Sequence, residues 1–118
     1  NQENVDELQR LGYHLISPTP GIRTDMDWST PGDKNYVSAH DIMQQLWDYE
    51  AKHGMNGVIL LVHAMNYPGR TQADRVYDHL GEIIDGLRAR GYTFKTMNDV
   101  IAASRKRLVF NTSIVERP

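Results

Sequence analysis

Cysteine is the first thing this chain lacks, because none occurs among its 118 residues. Its absence rules out disulfide bonds, thiolate catalysis and zinc sites built on cysteine. An excess of positive charge is also missing: 13 Lys and Arg stand against 15 Asp and Glu, for a net charge of −2. We therefore expect neither nucleic acid nor an anionic membrane as a partner. No apolar run approaches the roughly 20 residues of a membrane span.

Several motifs that identify enzyme classes are absent as well. Neither Gly-x-Gly-x-x-Gly nor Gly-x-x-x-x-Gly-Lys occurs, so no loop of a known type would cradle a phosphate. The Gly-x-Ser-x-Gly turn of many serine hydrolases is missing too. Four histidines show no metal-ligand spacing such as His-x-His, namely His14, His40, His53 and His79. These histidines are therefore not expected to bind a metal, whereas the carboxylates of Asp25 and Asp27, two residues apart, could bind a hard cation, orient a histidine or cap a helix.

What the sequence does contain is an alternation of helix-like and strand-like segments. Periodicity, caps and glycine stops predict helices at 5–11, 38–54 and 71–91, and a last helix that Asn98 caps. Short apolar or alternating runs predict strands at 13–17, 57–63 and 92–96. This α-β-α-β-α-β-α order predicts a parallel sheet with right-handed crossovers. Three strands leave two open edges, so we expect the chain to belong to a larger α/β structure, such as a barrel.

His63 is the principal candidate for chemistry. It directly follows an apolar run, residues 58–62, and directly precedes a polar loop. The C-terminal end of a buried strand is where parallel α/β folds carry their chemistry. The segment 25–28, Asp-Met-Asp-Trp, lies in the loop after the preceding predicted strand. We therefore expect His63 within direct or water-mediated hydrogen-bonding distance of Asp27 or Asp25. Each segment taken singly also fits a structural role, as a solvated loop or as a histidine bonded to a backbone carbonyl.

Three segments together resemble a known family. Residues 25–28 and 57–63 resemble the last two catalytic motifs of polysaccharide deacetylases, and residues 91–94, Gly-Tyr-Thr-Phe, resemble their final strand. These enzymes are the family-four carbohydrate esterases with the NodB homology domain. The resemblance covers the chain from about Leu8 to Ile101. It implies that residues 1–118 are a single unit, the C-terminal part of a catalytic domain folded as a distorted (β/α) barrel.

The resemblance also implies a reaction, the metal-dependent removal of acetyl groups from N-acetylated or O-acetylated sugars. In that reaction His63 would be the general acid that protonates the leaving group, and Asp27 would hold and charge its imidazole. The residues that would contact the substrate are Trp28 and Leu61, as walls of a pocket for the acetate methyl, together with Asp25 and Tyr67. The implied partner is a polysaccharide or oligosaccharide, and the implied location is extracellular or periplasmic.

The chain departs from the family pattern at several points. Thr24 and Ala64 stand where aspartates are usual, and the first three catalytic motifs are absent. Those motifs supply the catalytic base, the Asp-His-His ligands of a divalent, zinc-like metal, and an arginine that steadies the base. Arg23 and Arg70 lie outside the matching Arg-x-Pro-Tyr context. We therefore expect an inactive chain that needs a missing N-terminal half, or another chain, to complete the barrel and supply the metal site.

A different class of function is also open. The chain could be a non-catalytic carbohydrate-binding module or a pseudoenzyme fragment, in which aromatic side chains contact the faces of sugar rings. The candidates for such contacts are Trp28, Tyr36 and Tyr67. An upstream Asp-Asp pair and a His-x-x-x-His motif would favour the enzyme, and their absence would favour the binding module.

Overall fold

Helices and turns make up the regular structure of this protein. The computed structural model describes residues 1–64 and 69–104. Its α-helices are α1 (Gln2–Arg10), α2 (Ala39–His53), α3 (Leu80–Ala89) and α4 (Met97–Ala103). Three short 3₁₀ segments lie at Thr24–Trp28, Gln72–Asp74 and Val76–His79. Within these described residues there is no β-strand, and no helix is long and apolar enough to cross a bilayer.

The predicted parallel sheet and (β/α) barrel are therefore wrong. The 57–63 segment contacts a neighbouring segment where the Thr19 N–H donates to the Ile59 carbonyl at 2.8 Å, but no ladder of backbone hydrogen bonds extends that contact in the part of the chain described. Its alternate side chains, Val58, Leu60 and Val62, pack against the hydrophobic core. An apolar run of this kind predicts burial correctly, but burial here comes from packing on helices and not from strand pairing.

The described chain divides into two compact units. One unit is Thr19–Thr93, and the other joins Asn1–Pro18 to the chain from Phe94 onward. The first unit contains the hydrophobic core and both segments singled out in the sequence. That residues 1–118 form one part of a single catalytic domain stays a prediction.

Helix α2 is the centre of the core in the Thr19–Thr93 unit. Its predicted start and end are confirmed: the Ser38 hydroxyl accepts the Asp41 N–H at 3.1 Å, and Gly54 ends the helix at a φ of 71°. The core side chains share near-complete burial, and they are Ile22, Met26, Ala39, Ile42, Met43, Leu46, Met55, Val76, Ile83 and Leu87.

The segment before α3 does not form the predicted helix from residue 71. Two 3₁₀ segments precede α3, which begins only at Leu80. Asp74 explains the difference, because its backbone carbonyl accepts Arg70 Nη1 at 2.8 Å and its carboxylate accepts the Ala39 N–H at 2.8 Å. A carbonyl bound to a side chain is diverted from the i to i+4 bond that would continue a helix. The carboxylate at the same time caps the first turn of α2.

The second unit contains two capped helices with no fully buried residue among those described. In α1 the Asn1 side chain accepts the Asn4 N–H at 3.0 Å, and Gly12 follows the helix with a φ of 84°. In α4 the cap is Thr96, whose hydroxyl accepts the Asp99 N–H at 3.1 Å. The predicted cap, Asn98, is therefore wrong by two positions, because Thr96 and Asp99 form a reciprocal capping box.

The approach of α2 to α3 depends on a residue without a side chain. A Cβ placed on Gly86 would lie 2.7 Å from the Trp47 ring, whereas one on Gly81 of the same helix would meet no atom within 4 Å. The outer face of the Trp47 ring is covered by the Arg90 guanidinium at 4.2 Å. Gly86 therefore gives Trp47 the space to pack between the two helices.

A matched pair of substitutions tests this packing. Gly86→Ala is expected to lower the free energy of unfolding by about 1–3 kcal/mol, because the methyl group overlaps the Trp47 ring. Gly81→Ala is expected to raise it by roughly 0.5–1 kcal/mol, because alanine favours a helix over the unfolded chain. Urea unfolding followed by Trp fluorescence and circular dichroism measures both. Equal effects of the two changes would contradict the close approach at Gly86.

His79 should make the stability depend on pH. The Ala73 carbonyl, 2.7 Å from Nε2, and secondarily Glu82 raise the pKa of His79. Since folding raises this pKa, the contribution to stability is complete below the unfolded-state value of about 6.5 and is lost as pH rises through the folded-state value. His79→Gln should remove this fall in the free energy of unfolding, measured in urea at several pH values. His40→Gln, at an exposed histidine of α2, should retain it.

Candidate active site

Asp27 lies in a short 3₁₀ turn, Thr24–Trp28, where the sequence pattern predicts an irregular loop. The Met26 N–H donates to the Arg23 carbonyl at 3.1 Å, and the Ser29 N–H donates to the Met26 carbonyl at 3.3 Å. The side chain of Met26 is buried in the core against α2. A 3₁₀ turn has about three residues per turn, so side chains two positions apart point in different directions. The turn therefore buries Asp27 while leaving Asp25 partly exposed.

One carboxylate binds both the backbone and the ring of His63. Asp27 Oδ2 accepts the His63 N–H at 2.7 Å, and Oδ1 lies 2.5 Å from His63 Nδ1. The Asp27 side chain is 3% exposed and the His63 side chain is 32% exposed. Because a carboxylate can only accept hydrogen bonds, Nδ1 carries the proton in this pair. The predicted contact between His63 and Asp27 is thus present.

The path by which the two residues meet differs from the prediction. They do not lie at the ends of parallel strands, since the described residues form no sheet. Instead Ile59 and His63 contact Thr19 and Asp27 respectively, along one edge of the apolar segment. The side chains of residues 58, 60 and 62 pack on the core, and this alternation is typical of an extended chain. In an extended chain, backbone groups four residues apart, such as those of Ile59 and His63, face the same side. That edge therefore holds the Asp27 turn.

The residues predicted to contact substrate have different surroundings. Trp28 and Leu61 are both large apolar side chains at the surface, 43% and 40% exposed. Asp25 is partly exposed. Tyr67 lies outside the described residues. The surface next to the His63–Asp27 pair therefore offers apolar groups on both segments that carry the pair.

Tyr36, a candidate for stacking on a sugar ring, is instead part of an internal hydrogen-bond network. Its hydroxyl donates to Asp74 Oδ2 at 2.7 Å, and the Arg70 guanidinium lies 5.0 Å from its ring centre. The hydrogen bond to Asp74, with burial as a second cause, raises the pKa of Tyr36. These contacts occupy the hydroxyl and one face of the ring, which makes Tyr36 a weaker candidate for binding a sugar.

Arg70 is a residue to which sequence analysis assigned no role. Its side chain is 1% exposed, and it forms a 3.4 Å ion pair with Asp74. Its Nε donates to the Ser29 carbonyl at 2.5 Å, and its Nη2 donates to the Val37 carbonyl at 2.6 Å. The acid four residues after Arg70 was the one signal in the sequence, and such pairs usually lie on exposed helices. Nothing in the pattern indicated that this arginine would be buried.

A metal centre does not fit the residues described at this site. Among residues 1–64 and 69–104, no group of three His, Asp or Glu side chains lies close enough together to hold a metal ion. Both oxygens of Asp27 already bind His63, which removes the most buried carboxylate from metal ligation. The chemistry assigned to this part of the chain is therefore the chemistry of the His63–Asp27 pair alone.

Comparisons of the chain with models of protein families, with curated proteins and with solved structures found no match. A buried carboxylate that fixes a partly exposed imidazole is a common device for moving a proton to or from a bound substrate.

The orientation of the His63 ring is open to a direct test. Asp27→Asn replaces a carboxylate, which only accepts hydrogen bonds, with an amide whose NH₂ group donates. Because that NH₂ group can donate to an unprotonated Nδ1, we expect the neutral His63 ring to change from the Nδ1–H to the Nε2–H tautomer. Two-bond ¹H–¹⁵N NMR spectra of the imidazole nitrogens distinguish the two forms. Asp25→Asn is the matched control and should leave the tautomer unchanged. A His63 spectrum that responds only to the Asp25 change would contradict the pairing with Asp27.

Proposed function

We propose that this chain supplies the leaving-group acid of a polysaccharide deacetylase. The observation that carries the proposal is the His63–Asp27 pair: a buried carboxylate holds Nδ1 of a ring that is one-third exposed. With Nδ1 bonded to Asp27, proton transfer to a substrate falls to Nε2. The resemblance of residues 25–28 and 57–63 to deacetylase motifs supports the choice of reaction.

The pair suits the second half of amide hydrolysis. When the C–N bond of an acetamide breaks, the leaving nitrogen must take up a proton, because an amide anion is too basic to depart. A protonated His63 delivers that proton from Nε2, and the same role applies to the oxygen of an O-acetyl ester. Asp27 holds the ring in one orientation and stabilises the imidazolium before transfer. Both contacts of its carboxylate fall on His63, so the ring cannot turn without breaking a hydrogen bond.

The apolar groups at the surface support an acetyl substrate. Trp28 directly follows Asp27, and Leu61 lies two residues before His63, so each apolar side chain is carried by a segment that also carries one member of the pair. Apolar walls favour a methyl group and exclude water from the reacting bond. We assign these two residues to the acetate methyl, with Asp25 and Tyr67 as further substrate contacts on the basis of the resemblance.

Activation of the attacking water is not assigned to this chain. The catalytic base and the divalent, zinc-like metal that the resemblance implies need ligands that the described residues do not provide. We propose that a preceding half of the same domain, or another chain, brings them. A polymeric acetylated sugar as substrate agrees with an extracellular or periplasmic location.

A second candidate function is carbohydrate binding without catalysis. The exposed Trp28 favours it, because an accessible indole ring can stack on a sugar face. Against it, Tyr36 is held by Asp74 and Arg70 and does not extend an aromatic surface. A binding module would retain affinity for an acetylated oligosaccharide in His63→Ala and lose it in Trp28→Ala.

The deacetylase proposal is tested by completing the chain with an N-terminal half that carries the Asp-Asp and His-x-x-x-His motifs. The isolated chain should release no acetate from a chitooligosaccharide or acetylated xylan, and the completed enzyme should release it. In the completed enzyme, His63→Ala should lower turnover by about 10²–10⁴-fold, the usual contribution of a general acid. Metal affinity, measured by titration, should remain, because His63 is not assigned as a ligand.

The control for this experiment is His40→Ala, which removes an exposed histidine from the surface of α2 and should leave turnover unchanged. Full activity in His63→Ala, or loss of metal binding in that variant, would contradict the assigned role. Acetate release by the isolated chain would contradict the proposed division of labour between the two halves.

A further inference from the structure

Arg70 contacts both ends of the turn that carries Asp27. Its Nε donates to the Ser29 carbonyl at 2.5 Å, and its Nη2 lies 3.4 Å from the Met26 carbonyl and 3.5 Å from Ser29 Oγ. Met26 directly precedes Asp27, and Ser29 follows it by two residues. The guanidinium therefore bonds the backbone on either side of the carboxylate that holds His63.

The remaining donors of Arg70 join this turn to two other parts of the unit. Nη2 donates to the Val37 carbonyl at 2.6 Å, and Nη1 donates to the Asp74 carbonyl at 2.8 Å, with the Asp74 carboxylate at 3.4 Å. A side chain that is 1% exposed loses nearly all of its hydration, and these bonds replace it. The planar guanidinium of an arginine can donate hydrogen bonds to carbonyls in three directions at once, and the ammonium group of a lysine cannot do so with the same geometry.

His63 and Arg70 are both bonded to the Thr24–Trp28 turn or to the residue that follows it. His63 is bonded through its N–H and Nδ1 to Asp27, and Arg70 is bonded to the Met26 and Ser29 carbonyls. A loss of the Arg70 bonds would release the backbone next to Asp27, and the two short bonds to His63 would lose their fixed geometry. Arg70 is thus connected to His63 through the backbone of the turn and the carboxylate of Asp27.

We propose that Arg70 is a positioning residue, which holds the turn of Asp27 and Trp28 so that the carboxylate stays aligned with His63. The catalytic consequence rests on the proposed deacetylase function, but the positional claim does not. A purely structural arginine would stabilise the whole unit evenly. Loss of a positioning arginine would weaken the Asp27–His63 contact more than it weakens the hydrophobic core.

Amide hydrogen exchange separates these two roles, because the His63 N–H is protected by Asp27 itself. In the 118-residue chain, Arg70→Met should speed exchange at His63 by about tenfold or more relative to exchange at Leu46 in α2, whose amide opens with the core. Arg70→Lys should lie between this variant and the wild type, since it keeps the charge and loses the fork. Leu87→Ala, a core change in α3, should speed exchange at both positions alike.

The exchange rates at His63 and Leu46 decide between a positioning role and a purely structural role for Arg70. Equal acceleration at His63 and Leu46 in Arg70→Met, or no acceleration at His63, would overturn the proposal. If Arg70→Met does not fold, Arg70→Lys is measured in the same way, and failure of both to fold would show a global role and overturn it too. In the completed enzyme, Arg70→Lys should lower turnover with little change in KM. Faster exchange at His63 in a completed protein that has no deacetylase activity would leave the positioning role intact and count against the proposed function alone.

Discussion

A buried carboxylate has to be fully hydrogen-bonded, and in this protein that requirement falls on Asp27. Its side chain is 3% exposed, and its two oxygens are bonded to the backbone and the ring of one residue, His63. Leaving such a group unsatisfied costs several kcal/mol, on the order of the entire stability of a small domain. The 57–63 segment passes the Thr24–Trp28 turn with the backbone and the ring of His63 both in contact with Asp27, which meets this requirement.

The core around α2 supplies the mechanical support for this arrangement. Met26 and the alternate residues 58, 60 and 62 pack on the same set of core side chains, so the turn and the apolar segment are both anchored next to the residues they present. Arg70 adds polar bonds to the turn where apolar packing ends. Packing thus brings the two segments together, and directed hydrogen bonds align the groups they carry, as proton transfer requires.

Local signals in the sequence predicted more of this structure than the long-range pattern did. The limits of α2 were predictable because Ser38 and Gly54 act on their own neighbours. The sheet was not, because an apolar run such as 58–62 indicates burial without indicating what covers it. The Asp27–His63 contact was predicted correctly although the sheet was wrong, since each residue adjoins apolar residues that the same core buries. Arg70 left little usable signal, because four of its hydrogen bonds go to backbone carbonyls, which any residue type provides, and the acid at position 74 gave no indication that the pair is buried.

A His–Asp pair alone does not define a reaction, since the same pair serves hydrolases, transferases and proton relays. The residues around the pair in this protein reduce the number of reactions that it could serve. The pair is joined through main chain to two exposed apolar side chains, Trp28 and Leu61, and no cluster of three metal-ligating side chains lies among residues 1–64 and 69–104. A ring held in this way is prepared to give a proton to a group delivered beside an apolar surface. An apolar surface beside a fixed imidazole suits a small acyl group, which is why the role proposed for His63 is that of an acid acting on such a group.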